Sequence, residues 1–176
     1  MTDIIYDVSV SIDGFIAGAN GDVSQFPMEG PHVDAYLERL GQYALTIMGR
    51  GTYEFGYTFG MKPGARAYPH LPHYIFSKGI ELPEDAEVNV VRSDWLVAVD
   101  RIKAEADGDI YLCGGGSFAG FLLASGRIDV IRLKRVPILC GCGTPLLADM
   151  PELPPLKLTD QKSYDYGAIY QEYRVF

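Results

Sequence analysis

The stretch DIYLCGGGSFAGFLLASG, residues 109–126, constrains the fold of this chain more than any other. Five strand-like residues run into three consecutive glycines, and nine small and apolar residues of helical character follow before a further glycine. A strand that passes so directly into a helix is half of a crossover unit, and crossover units build parallel sheets. Each glycine also adds backbone entropy that folding must remove. Three in a row at a strand end mark either a tight turn with close helix–strand packing or a place where a ligand approaches bare main chain.

The pattern around this stretch agrees with alternating strands and helices. Residues 4–12 alternate and are rich in β-branched types, which predicts a first strand, ended by the turn pairs Asp13-Gly14 and Asn20-Gly21. Pro31 opens a helix over 32–44, with Val33, Tyr36, Leu37, Leu40 and Tyr43 on one stripe. Residues 44–48, 73–77, 86–91 and 109–113 read as further short strands. A helix over 93–106 carries Trp95, Val99 and Ile102 on its apolar face, with Ser93 as its cap. Residues 117–125 form a helix closed by Gly126, and 128–139 form a long strand. The irregular stretch 56–72 and the proline-rich run 149–156 interrupt this order, and 157–164 with 168–176 read as a closing hairpin. The expected architecture is a three-layer α/β domain. Its mixed, mainly parallel sheet is flanked by helices and ends in an antiparallel hairpin, with one domain spanning 1–176.

Charge and cysteine usage exclude several functions. The net charge of −8 argues against broad nucleic-acid binding, which needs clustered cations to neutralise phosphates. No apolar run approaches the roughly 20 residues that cross a bilayer, and the N-terminus lacks the pattern of a secretory signal. A cytoplasmic location is expected. The three cysteines, Cys113, Cys140 and Cys142, lie far in sequence from His32, His70 and His73, so reduced thiols are expected rather than a metal site.

Ligands of open parallel sheets bind beyond the carboxyl ends of the strands. Gly114, Gly115 and Gly116 stand at such an end, before a helix whose first N–H groups carry partial positive charge. The run does not fit the dinucleotide fingerprint G-x-G-x-x-G, nor does G-K-[ST] follow it. MGRGTYE, from Met48, is a second strand end, where Arg50 offers a guanidinium fork and Thr52 a hydroxyl. FSK, from Phe76, is a third, and VRSD, from Val91, a fourth. Several cationic strand ends in an acidic chain point to a phosphate-rich ligand laid across the sheet edge.

SIDGFIAG, IMGRGTYEFG, YIFSKG and the run 109–147, in this order, resemble the dihydrofolate reductase-like superfamily. The closer resemblance is to the branch that contains the reductase domain of riboflavin biosynthesis. The resemblance implies NADPH as reductant. Gly49, Arg50, Gly51 and Thr52 would surround the cofactor phosphates, with Arg50 near the 2′-phosphate. Ser77 and Lys78 would lie near the adenosine end, and Gly114, Gly115, Gly116, Ser117 and Phe118 would cradle the pyrophosphate. It also implies hydride transfer to a small heterocyclic or conjugated substrate, pterin- or pyrimidine-like, and a homodimer.

Two positions depart from the riboflavin-type pattern. Asp7 stands where a first-strand lysine is usual, and Val130 stands where an acid follows the Asp of the xxDE motif. An aspartate in place of that lysine is expected to repel a sugar phosphate. Ala119 replaces the aromatic hydroxyl that folate reductases carry. For the proton, the candidates are Asp34, on the first helix, and Asp13, at the mouth beside the first strand. The alternative expectation is a non-catalytic NADP(H)-binding protein that has lost its substrate-handling residues.

Overall fold

The computed structural model describes residues 2–148 and 153–176. The chain runs β1 (Ile4–Val10), β2 (Phe15–Ala17), α1 (Pro31–Leu40), β3 (Leu45–Gly49), α2 (Arg50–Phe55), β4 (His73–Phe76) and β5 (Asn89–Val91). It continues through α3 (Trp95–Glu105), β6 (Ile110–Leu112), α4 (Gly116–Ala124), β7 (Val130–Arg135), β8 (Thr144–Pro145), β9 (Leu156–Ser163) and β10 (Ile169–Val175). One sheet has the order β5-β4-β3-β6-β1-β7-β10-β9, and β2 pairs with β8 in a small second sheet. The six strands from β5 to β7 are mutually parallel, whereas β10 runs antiparallel to both β7 and β9. The mainly parallel sheet with an antiparallel end is the architecture expected from the sequence.

Strand alternation assigns each face of the sheet its own core. Ile4, Tyr6 and Val10 of β1, with Ile131 and Leu133 of β7, pack against α3 and α4 through Val99, Ile102, Ala119 and Leu122. The opposite face carries Ile5, Tyr111 and Val130 beneath Leu40 of α1, then Met48 and Ile75 beneath Tyr53 of α2. Helices on both faces of an open parallel sheet leave the strands' carboxyl ends as the free rim.

Several boundaries differ from the sequence expectation, each for a local reason. The first helix stops at Leu40 because Gly41 caps it, and Tyr43 packs from the following loop. Ser93 does not cap α3. The N-cap is Asp94, in the left-handed region, and the Ser93 hydroxyl donates to the Asp94 carboxylate at 3.0 Å. The long strand expected over 128–139 is paired only over Val130–Arg135 and ends ahead of Pro137, which lacks a backbone donor. β2 and β8, of three and two residues, are too short for their alternation to be seen in sequence. The proline-rich run 149–156 lies in part outside the described residues; of its rest, Leu156 opens β9. Among the described residues no helix is long and apolar enough to cross a membrane.

Candidate functional site

A cleft of about 1000 Å³ opens along the carboxyl ends of β3, β4, β6 and β1. Its size is at the upper end of what ligand pockets span. Gly49, Arg50, Gly51, Thr52, Ser77, Lys78, Gly114, Gly115, Gly116, Ser117 and Phe118 all line it, so three strand ends distant in sequence meet around one space. Gly114 and Gly115 both have positive φ, +51° and +76°. A Cβ on Gly115 would stand 2.7 Å from the Thr52 hydroxyl, and one on Gly116 would overlap the Pro145 carbonyl oxygen. The glycine run therefore has two reasons at once: it turns the chain where side chains are strained, and it lets β8 pass directly over α4. Gly115 is the N-cap of α4, and among the described residues no side chain caps the helix, so its first N–H groups are left to the cleft.

The cations of this rim are exposed. Arg50 donates from Nε to Glu54 Oε1 at 2.8 Å within α2, and both are partly in solvent. Lys78 is exposed just past β4. Beside it Trp95, Phe76, Phe118 and Phe121 form an aromatic cluster, with Trp95 and Phe118 edge to face at 6.1 Å. The Trp95 indole Nε1 is buried and has no partner among the described residues.

The inner end of the cleft is built differently. Asp7 of β1 is buried and accepts from Lys134 Nζ at 2.7 Å, Arg39 Nε at 3.0 Å and the Tyr43 hydroxyl at 3.2 Å. Burial would push the Asp7 carboxyl up, but the Lys134 and Arg39 charges outweigh it and hold the carboxyl below its usual range. The aspartate therefore does not present the bare negative charge expected from sequence, because β7 and α1 neutralise it. Lys134 Nζ also lies 3.6 Å from the centre of the Tyr36 ring. Asp7, Tyr36, Tyr111, Cys113 and Lys134 all line the cleft. Val130 is not at this site: it is a core residue beneath α1, and Asp129 before it accepts from Ile4 N–H and Lys103.

Neither acid proposed for the proton lines the cleft. Asp34 is exposed on α1. Asp13 accepts from the Ser11 hydroxyl at 2.6 Å, from Gly141 N–H at 2.7 Å and from Cys140 N–H at 3.1 Å, tying the end of β1 to the loop before β8. Those bonds, Ser11's first and Gly141's next, lower the Asp13 carboxyl to about 2. Sequence reasoning missed Lys134, Tyr36 and Tyr111. The signal for Lys134 was weak, since alternation in IRLKR reads Arg132 and Lys134 as solvent-facing.

The sequence matches the family described as the RibD C-terminal domain over residues 2–171. This chain belongs to that family. Among curated relatives, the RibD C-terminal domain chain is 27% identical to the uncharacterized protein YyaP of Bacillus subtilis (strain 168), across 94% of this chain and 91% of YyaP. Its fold is similar to that of a diaminohydroxyphosphoribosylaminopyrimidine deaminase/5-amino-6-(5-phosphoribosylamino)uracil reductase from Thermotoga maritima. That match has a TM-score of 0.71 and 16% identity, over 99% of this chain and 57% of the other. It is also similar to dihydrofolate reductase from Enterococcus faecalis complexed with NADP(H), with a TM-score of 0.70 and 14% identity, over 98% and 96%. The fold is thus dihydrofolate reductase-like, as the ordered motifs implied.

Proposed function

We propose that the cleft holds NADPH and that this RibD C-terminal domain chain, working as one cytoplasmic domain, reduces a small heterocyclic or conjugated substrate. The observation that carries this reading is the convergence of Arg50, Lys78 and the uncapped start of α4 on one space. The residues fit the group: main-chain N–H groups at Gly116 and Ser117 for a pyrophosphate, an exposed guanidinium at Arg50 for a 2′-phosphate. Trp95 and Phe118, which both line the cleft, offer an aromatic base a stacking face. When bound, NADPH would supply the hydride.

The chain's own contribution is to orient and to exclude water. Tyr36 and Tyr111 wall the inner cleft, with their hydroxyls 2.9 Å apart, and Tyr43 stacks behind Tyr111. Against these tyrosines a planar substrate ring would be held for reaction rather than met by collision. A second reading is favoured by the absence of Asp13 and Asp34 from the cleft lining: a non-catalytic NADP(H)-binding protein. The test is loss of reduced-nicotinamide absorbance over a panel of pterins, flavin precursors and quinones. Turnover of any supports the reductase; tight NADPH binding without turnover on all of them supports the binder.

A further inference from the structure

Reduction of a C=N or C=O bond needs a proton as well as a hydride, and the cleft has few groups that carry one. Among the described residues, the titratable ones lining it are Asp7, Tyr36, Arg50, Lys78, Tyr111, Cys113 and Lys134. Arg50 and Lys78 stand at the outer rim, and Asp7 is an ionised acceptor of three hydrogen bonds. Tyr36 and Tyr111 hold their protons more firmly than usual because they are buried and lie near Cys113. Cys113 holds its proton firmly because burial outweighs the hydrogen bonds from Tyr68 and Tyr111. Lys134 remains. It is buried at the inner end of the cleft, clamped between the Asp7 carboxylate and the face of Tyr36.

We propose that the Lys134 ammonium is the proton donor of this cleft, with Asp7 and Tyr36 as the residues that position it. The role rests on the reductase reading above. The substrate carbon accepts the hydride that the reduced nicotinamide supplies, the C=N or C=O π pair moves onto nitrogen or oxygen, and that atom takes a proton from Lys134 Nζ. Lys134 is left as a neutral amine, and water restores its proton after the product leaves. Burial favours such an exchange by drawing the ammonium below the ordinary lysine value, against the pull of Asp7 and with the help of Arg39. The charged and titratable groups that face it are Asp7 from β1, His32, Tyr36 and Arg39 from α1, Cys113 after β6, and Tyr170 opposite it on β10.

A purely structural lysine, present only to neutralise Asp7, gives a different set of results. Lys134→Arg keeps the positive charge beside Asp7 but cannot release a proton near neutral pH. The experiment combines NMR titration of the Lys134 side chain in the full-length chain with pH profiles of kcat for the wild type and Lys134→Arg, on an acceptor from the panel above. Lys134 is expected to titrate below the ordinary lysine value, and wild-type kcat to fall tenfold per pH unit above that point. Lys134→Arg is expected to bind NADPH with similar affinity, to lose at least 100-fold in kcat and to lose the alkaline limb. An unshifted Lys134 titration, or a Lys134→Arg variant with wild-type kcat, overturns the proposal while leaving the reductase reading intact. A panel on which the wild type reduces nothing ends both, and NADPH binding then distinguishes the binder from a chain with no cofactor.

Discussion

Single residues decide most of the cofactor account, and each has its own test. Arg50→Ala is expected to weaken NADPH about 10- to 100-fold, the range of a lost charge-assisted hydrogen bond, and NADH little. Paired affinity measurements by fluorescence check it, and equal loss for both cofactors would place Arg50 away from the 2′-phosphate. Gly116→Ala puts a methyl into the Pro145 carbonyl and is expected to destabilise the chain by roughly 1–3 kcal/mol in urea unfolding. Asp13 gives a pH signature. Its folded carboxyl titrates at about 2, below the usual aspartate value, so its contribution is complete above that usual value and is lost as pH falls through about 2. The gap in urea midpoint between wild type and Asp13→Asn is therefore expected to be largest near neutral pH and to close in acid. A constant gap would mean that the carboxylate charge does not matter. The glycines and Arg50 were legible because strand ends of a parallel sheet have one free rim, so their residue types alone located the cleft. Lys134 was not, because its polar strand position looks solvent-facing until α1 is known to cover it.

At the level of elements, the docking of α1 on the sheet depends on charges that an amphipathic pattern does not display. Val33, Tyr36, Leu37 and Leu40 announced the helix, but Leu37 is largely exposed and the contact that matters is Arg39 to Asp7. Arg39 also covers the Tyr170 ring at 4.6 Å, and Arg132 links Tyr43 to Glu172, so β1, α1, β7 and β10 are joined by one partly buried polar network with Asp7 and Lys134 at its buried centre. Removing one partner of such a network leaves the others buried without a counter-charge. Asp7→Ala is expected to cost roughly 3–5 kcal/mol, and Asp7→Ala with Lys134→Met less than the sum of the two single changes. A double-mutant cycle in urea checks this, and additive costs would show that the two charges do not interact. Apart from β2 and β8, strand existence was readable from β-branched alternation, whereas partnership and order in the sheet were not. Nothing local in β10 indicates that it lies against β7 rather than at an outer edge.

For the whole molecule, the sheet ends in a strand that no described residue covers. All eight residues of β9 are exposed, including Leu156 and Leu158, each about half accessible. An uncovered edge of that length is a pairing surface, and we propose that two chains associate there as a homodimer. Sedimentation is expected to give twice the chain mass, and Leu158→Lys to lower it; a monomer at all concentrations would remove the dimer. The alternation of strand and helix along the chain revealed the layered architecture early, because crossover geometry permits few alternatives. The width of the inner cleft was hidden, since Tyr36 reaches it only through the docking of α1 on the sheet. The proposed reduction needs one dinucleotide resting against the glycine run and Arg50 together. Isothermal titration of the full-length chain with NADPH is the most direct test: one site per chain, weakened by Gly115→Ala and by Arg50→Ala, is predicted, and an absence of heat at millimolar cofactor would contradict it.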